Sequence, residues 1–280
     1  MDISVVIPTR DRLDAVSRCL RALTAGGDPG HEVVVVDDGG RDATALRELV
    51  ASHPRARLVH AAGRGPAAAR NAGAAEAGGE IVCFTDDDCE PAPGWAEVLA
   101  VHARDGAGIA AGRTVLDADA SRFDVAAQTI VEQLQLASLD TATGALGFAP
   151  TCNLACSRAL LRDVPFDGSF RDAAGEDREW CARAAAAGCP PRYEPRAVVV
   201  HRPRLTAGSF MRQQFRYGRG GVRFRAAARA AGEPASRAPA SFYLGLAGAA
   251  ARRGPGVGAL VGAAQLASAA GAASERLASR

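Results

Sequence analysis

Over its first hundred residues the chain alternates between continuous apolar runs and segments of helical period. The runs Ile3–Ile7, Glu32–Val36 and Glu80–Phe84 are rich in β-branched and other apolar residues, with few polar interruptions. Uninterrupted apolar runs suit strands buried on both faces, as in a parallel sheet. Between them, Arg12–Thr24, Asp42–Ala51 and Pro66–Ala77 read as helices; in the first, Leu13, Val16, Leu20 and Leu23 recur on one face. A shorter strand, Ala56–His60, fits before the third helix. The alternation predicts an α/β fold, a mostly parallel sheet flanked by helices with right-handed crossovers.

The second half is less regular. Ser121–Leu139 reads as a helix, Thr151–Cys156 and Ala197–Val200 as strands, and Glu176–Ala187 as an Ala-rich helix stopped by Gly188. After Pro203 the pattern is helical throughout: Thr206–Ala231, Ala240–Arg252 and Pro255–Ala273. Gly232-Glu233-Pro234 reads as a linker. It divides a body, residues 1–231, from a helical C-terminal extension, residues 232–280. The body falls into halves at 1–115 and 116–231.

In an open parallel sheet, ligands bind beyond the carboxyl ends of the strands. Three polar clusters fall there: Pro8-Thr9-Arg10-Asp11-Arg12, Asp37-Asp38-Gly39-Gly40 and Thr85-Asp86-Asp87-Asp88. One strand-end Asp is often only a helix cap, but three clusters on one edge predict a functional crevice. No G-x-x-x-x-G-K-[ST] run occurs, which excludes a P-loop, and no G-x-G-x-x-G follows the first strand, which argues against a dinucleotide oxidoreductase. Adjacent carboxylates repel one another unless a cation compensates. The run Asp86-Asp87-Asp88 therefore suggests a hard divalent ion, Mg²⁺ or Mn²⁺, bridging phosphate oxygens.

Composition narrows the partners. A net charge of +2 and pI near 8.2 argue against a dedicated nucleic-acid binder. The chain has no Lys, so every side-chain cation apart from histidine is Arg, the better bidentate partner for phosphate. Seven Cys without a C-x-x-C pair suggest a reducing compartment and no structural zinc. Met1-Asp2 leads straight into a strand without signal-peptide character. The expectation is a cytoplasmic protein.

From Ser4 to about Arg204 the chain resembles family-2 glycosyltransferases of the GT-A fold. The resemblance is carried by Val5-Val6-Ile7-Pro8-Thr9-Arg10-Asp11-Arg12, Val35-Val36-Asp37-Asp38-Gly39, Arg70-Asn71-Ala72-Gly73, Phe84-Thr85-Asp86-Asp87-Asp88-Cys89 and Gly175-Glu176-Asp177, in that order. It implies inverting transfer of a sugar from a nucleoside-diphosphate sugar to an acceptor hydroxyl, in glycan, glycolipid or cell-envelope synthesis. Residues 1–115 would bind the donor and 116–231 the acceptor. Donor-binding residues would be Pro8, Thr9, Arg10, Arg12, Asp38, Arg64, Asn71, Asp86 and Asp87. Thr9, Arg12 and Asp38 would line the base and ribose pocket, with Arg64 and Asn71 near it. Asp86-x-Asp88 would be the metal motif, completed by His201. Asp177 would be the base that deprotonates the acceptor, with Glu176 orienting the site; acids at a helix N-terminus also simply suit its dipole.

Two alternatives differ in class. A sugar nucleotidyltransferase also pairs an α/β sheet with acidic metal ligands, but its first loop is expected to be Gly-rich and basic. A non-catalytic nucleotide-sugar-binding module would not need Glu176-Asp177 beside an intact acidic run.

Two features beyond the motifs carry their own expectations. Arg212, Arg216, Arg219 and Arg223 share one helix face; they suit a solvated face, a diphosphate clamp or contact with anionic lipid. Gly218, Gly220 and Gly221 would weaken that helix. Gly254–Ser274 holds no charged residue and is long enough for a membrane span, but its Ala and Gly content makes insertion marginal and favours a helix packed on the body or lying on a membrane, in peripheral contact with its inner face.

Overall fold

The computed structural model describes residues 2–25, 30–104, 108–232 and 240–279. One eight-stranded sheet runs through the molecule in the order β3-β2-β1-β4-β7-β6-β8-β5. β1 (Ile3–Thr9), β2 (Glu32–Asp37), β3 (Ala56–His60) and β4 (Ile81–Thr85) are parallel. They are joined by α1 (Leu13–Thr24), α2 (Ala43–Ala51) and α3 (Pro66–Glu76). The apolar runs fold this way because each strand feeds both layers. Val5, Ile7, Val33 and Val35 face a core built with Val16, Leu20, Leu46 and Val50, whereas Val6, Val34 and Val36 face one built with Ala67, Ala69 and Ala74. α3 lies close on the sheet because Gly73 has no Cβ to meet the Val6 and Val36 side chains.

The other half holds the antiparallel members of the mostly parallel sheet. β7 (Asn153–Ser157) is antiparallel to both β4 and β6 (Ile109–Leu116). β8 (Pro191–His201) runs parallel to β6 with a register shift at Gly112/Arg113, and the three-residue β5 (Cys89–Pro91) pairs antiparallel with β8. β5, β6, α4 (Trp95–His102) and the short α6 (Arg158–Asp163) carry little signal in the sequence. α5 (Arg122–Ala137) opens with a capping box at Ser121, and α7 (Glu176–Ala186) follows Gly175, whose φ of 93° suits glycine.

α8 (Ala207–Ala230), α9 (Ala240–Arg252) and α10 (Pro255–Ala278) follow. Ala126 and Ala127 of α5 and Phe210 of α8 share a core with Phe242, Leu246, Ala250, Val257, Val261 and Ala264 of the last two helices. α8 is continuous through its glycines, against the expectation that they weaken it. They are points of close approach: a Cβ on Gly218 would strike the Ser268 carbonyl, one on Gly220 the Ala174 carbonyl, and α10's Gly271 meets the Phe215 carbonyl in the same way. Glu233 and Pro234 of the expected linker lie outside the described residues.

Candidate active site

The three polar clusters follow the adjacent ends of β2, β1 and β4, at Asp37, Thr9 and Thr85. Asp87 ties two of these ends together. Its Oδ2 accepts from the Thr9 hydroxyl at 2.7 Å, and Arg12 Nη1 lies 2.8 Å from its Oδ1. Burial pushes the Asp87 carboxyl up to about 7, against the opposing pull of Arg12. Arg12 also donates to Asp88 Oδ2 at 2.8 Å, so one guanidinium spans two members of the acidic run.

Strand register brings Asp88 to His201. Cys89 pairs with His201 across β5 and β8, and the Arg202 N–H donates to the Asp88 carbonyl at 2.8 Å. Asp88 Oδ1 and His201 Nε2 are 3.5 Å apart. Burial alone would raise the Asp88 carboxyl, but His201 and Arg12 hold it well below the usual carboxylate range. For His201, burial works downward and is outweighed by the Asp88 carboxylate, which lifts the imidazole to about 9. Donor atoms of Asp88, Cys89 and His201 lie within 4.8 Å of one another. A carboxylate and an imidazole are suitable ligands for a divalent ion. The Cys89 thiol, held well above its ordinary value by Cys152 and by burial, stays neutral.

The other expected donor residues occupy different settings. Asp38 Oδ2 accepts from the Gly65 N–H at 2.9 Å, while its buried Oδ1 has no partner among the described residues. Pro8 is half-buried, and Arg10 and Arg64 are exposed at the rim. Asn71 is committed elsewhere: its Nδ2 donates to the Phe166 carbonyl at 2.8 Å and its Oδ1 accepts from the Phe166 N–H at 2.9 Å. Its amide pins the segment before α7 to α3.

Between the two halves sits Arg70, quoted within a motif but given no role by the sequence. It is buried on α3, its Nη2 donating to Asp86 Oδ1 and its Nη1 to Glu176 Oε1, both at 3.1 Å. The guanidinium lies 6.0 Å from the Phe166 ring centroid, and Phe166 stacks on Trp180. A lone Arg on the apolar side of an Ala-rich helix was the available signal. Asp177 follows as a half-buried carboxylate whose Oδ1 accepts from the Arg178 N–H at 2.8 Å. Burial, then the neighbouring Glu176, push its carboxyl up to about 7. Tyr217 approaches from α8; burial, then the charges of Asp177 and Glu176, hold its hydroxyl well above the ordinary phenol value.

The Arg face of α8 is divided. Arg219 Nε and Arg223 Nε each lie 2.7 Å from a carboxylate oxygen of Glu275 on α10, and Arg223 also reaches Asp172. These two fasten the extension and are not free to clamp a diphosphate. Arg212 and Arg216 are exposed.

Residues 4–165 match Glycosyl transferase family 2. The chain belongs to that family. It is 30% identical over 223 residues to a pre-mycofactocin glycosyltransferase of Mycobacterium tuberculosis, covering 78% of this chain and 46% of the relative. The chain thus spans about half the length of that curated relative. It is 27% identical over 226 residues to the glycosyltransferase AglE of Haloferax volcanii, covering 79% of this chain and 73% of AglE. Among solved structures, the mannosyltransferase PcManGT of Pyrobaculum calidifontis, in complex with GDP-Man and Mn²⁺, superposes with a TM-score of 0.61 at 24% identity, over 99% of this chain and 78% of the other. Glucosyl-3-phosphoglycerate synthase of M. tuberculosis, in complex with Mn²⁺, UDP and glucosyl-3-phosphoglycerate, gives 0.58 at 19% identity, over 83% and 81%. Both neighbours are glycosyltransferases of the GT-A fold, and this chain shares that fold.

Proposed function

We propose that the protein is an inverting glycosyltransferase that moves a sugar from a nucleoside-diphosphate sugar to an acceptor hydroxyl in glycan, glycolipid or cell-envelope synthesis. The observation that carries this reading is the Arg70 bridge. It joins Asp86 of the acidic run to Glu176, next to Asp177, across 90 residues of sequence. A donor site alone would not need a second carboxylate pair held at its edge.

In this reading Asp38, whose Oδ1 has no partner among the described residues, faces the nucleoside; Thr9 and Arg12 line the same wall, and Pro8, Arg10 and Arg64 form its rim. Asp88 and His201 would hold a divalent ion, with Asp86 supporting the site on the ribose side. Such an ion supplies positive charge for the departing diphosphate; PcManGT and glucosyl-3-phosphoglycerate synthase were each solved with Mn²⁺. Asp177 takes the proton of the acceptor hydroxyl as that oxygen bonds to the anomeric carbon. The bond from that carbon to the diphosphate oxygen breaks, and the diphosphate leaves with its electron pair. A carboxyl lifted toward neutrality is a better base than an ordinary Asp.

The test is a thermal-shift panel of nucleoside diphosphates and nucleotide sugars with and without Mn²⁺, followed by calorimetry on the best ligand. A ligand of the folded state raises the transition temperature by mass action. The expected result is a Mn²⁺-dependent shift for one nucleotide class and release of free diphosphate once an acceptor is supplied. A panel with no Mn²⁺-dependent binding would overturn the reading.

A further inference from the structure

The outer faces of α9 and α10 are uncharged up to the last residues of each helix. From Ala240 to Ala251 and from Gly254 to Ser274 there is no Asp, Glu or Arg. The inner faces are used: Phe242, Leu246, Val257 and Val261 pack with α5 and α8. The outer faces present Tyr243, Leu244 and Leu266 to solvent, the two leucines at 75% and 74% exposure. An open groove lined by Tyr243, Ala247, Pro255 and Gly262 separates the helices. A surface helix ordinarily turns charged residues outward, and a continuous exposed apolar patch marks an interaction surface.

The rim of this patch is basic. Arg252 and Arg253 stand exposed at the turn between the helices and Arg276 near the end of α10. Arg253 reaches Glu132 at 2.7 Å. Residues 240–279 contain one acid, Glu275, which is buried between Arg219 and Arg223. We propose that this face docks on an anionic lipid bilayer, with α9 and α10 lying along the headgroup boundary and Arg252 and Arg276 on acidic headgroups.

The same observations disfavour two other arrangements. α10 is long and apolar enough to cross a membrane. Crossing would strip Val257, Val261 and Ala264 from their core and part Glu275 from two arginines. A symmetric dimer sets the same patch against itself; here that would oppose basic rim to basic rim, with no exposed acid on α9 or α10 to answer it.

Flotation of the full chain with vesicles of phosphatidylcholine, alone or mixed with phosphatidylglycerol, tests the proposal. The protein should float with the anionic vesicles at low salt, and lose most binding at high salt or on phosphatidylcholine alone. Leu244→Glu with Leu266→Glu should abolish flotation. Arg252→Ser with Arg276→Ser should weaken vesicle affinity roughly 30-fold at low salt, at about tenfold per 1.4 kcal/mol. Both double variants change exposed side chains and should keep the wild-type unfolding temperature, which separates lost docking from lost folding. Three outcomes overturn the proposal: no flotation under any condition; flotation indifferent to both variants; or a concentration-dependent dimer in sedimentation that the leucine variant dissolves while vesicles are ignored.

Discussion

Arg70 Nη1 stands 3.1 Å from Glu176 Oε1, with both side chains buried. The pair is held by packing: the guanidinium lies near the Phe166 ring, and Asn71 fixes the backbone of Phe166. Removing one partner of a buried ion pair leaves the other uncompensated, at a cost of about 3–5 kcal/mol. Arg70→Met should therefore lower unfolding free energy by about that much in urea titration. Arg70→Lys should recover only part of the loss, because an ammonium does not reproduce a planar fork on two carboxylates.

Asp177 sets a pH dependence. Its ionised form is the proposed base, so kcat/KM should rise with pH through about 7, where an ordinary Asp would give a rise near 4. Glu176→Gln removes a like charge and should move the rising limb to lower pH. Stability runs the other way: a carboxyl raised on folding favours the native state below its unfolded pKa, and this contribution is lost as pH climbs to about 7. Asp177→Asn should match wild type in unfolding temperature near pH 4, exceed it at pH 8, and lose turnover roughly 10²-fold or more. Turnover near wild type in that variant would assign the base elsewhere.

Asp88 and His201 should act together on metal-dependent binding. Asp88→Asn and His201→Ala are each expected to abolish the calorimetric signal for nucleotide sugar with Mn²⁺ while leaving far-ultraviolet circular dichroism unchanged. Treating wild type with EDTA should give the same result, and added Mn²⁺ should restore binding only in the wild type.

Glycine contacts predict a contrast along one helix pair. Gly218→Ala would force a Cβ into the Ser268 carbonyl and Gly271→Ala one into the Phe215 carbonyl, so each should destabilise by about 1–3 kcal/mol or displace α10. Gly262, on the same helix as Gly271, faces open space; its change to Ala should be neutral or stabilise by up to about 1 kcal/mol. Thermal denaturation of the three variants measures the difference.

Much of the first half of the chain was legible because it obeys local rules. The Val-rich β1 and β2 and the Ile81–Thr85 strand are buried on both faces, and their polar ends locate the crevice. β5 and β6 were not legible: one has three residues, and the other opens Ile-Ala-Ala-Gly, which has little strand character apart from its neighbours. The roles of Arg70 and Asn71 depend on Phe166 and Glu176, about 100 positions away, which no local pattern reveals. The glycines of α8 looked like weak points because propensity is read one helix at a time, whereas their use is set by the chain opposite. Arg219 and Arg223 looked free for the same reason, since Glu275 lies more than 50 residues downstream.

α8 meets the Ala174 carbonyl at Gly220 and the Ser268 carbonyl at Gly218, main chain on main chain, with no intervening side chain to adjust. What looks in sequence like a detachable tail is thus the back wall of the body that precedes it. A shortened protein ending at Gly232 would uncover Phe210 and Ala126 and take Glu275 from Arg219 and Arg223, so the natural cut point by composition is a poor one for expression or domain shuffling. Any recombined or shortened version of the chain would have to carry α8 and α10 together as one block.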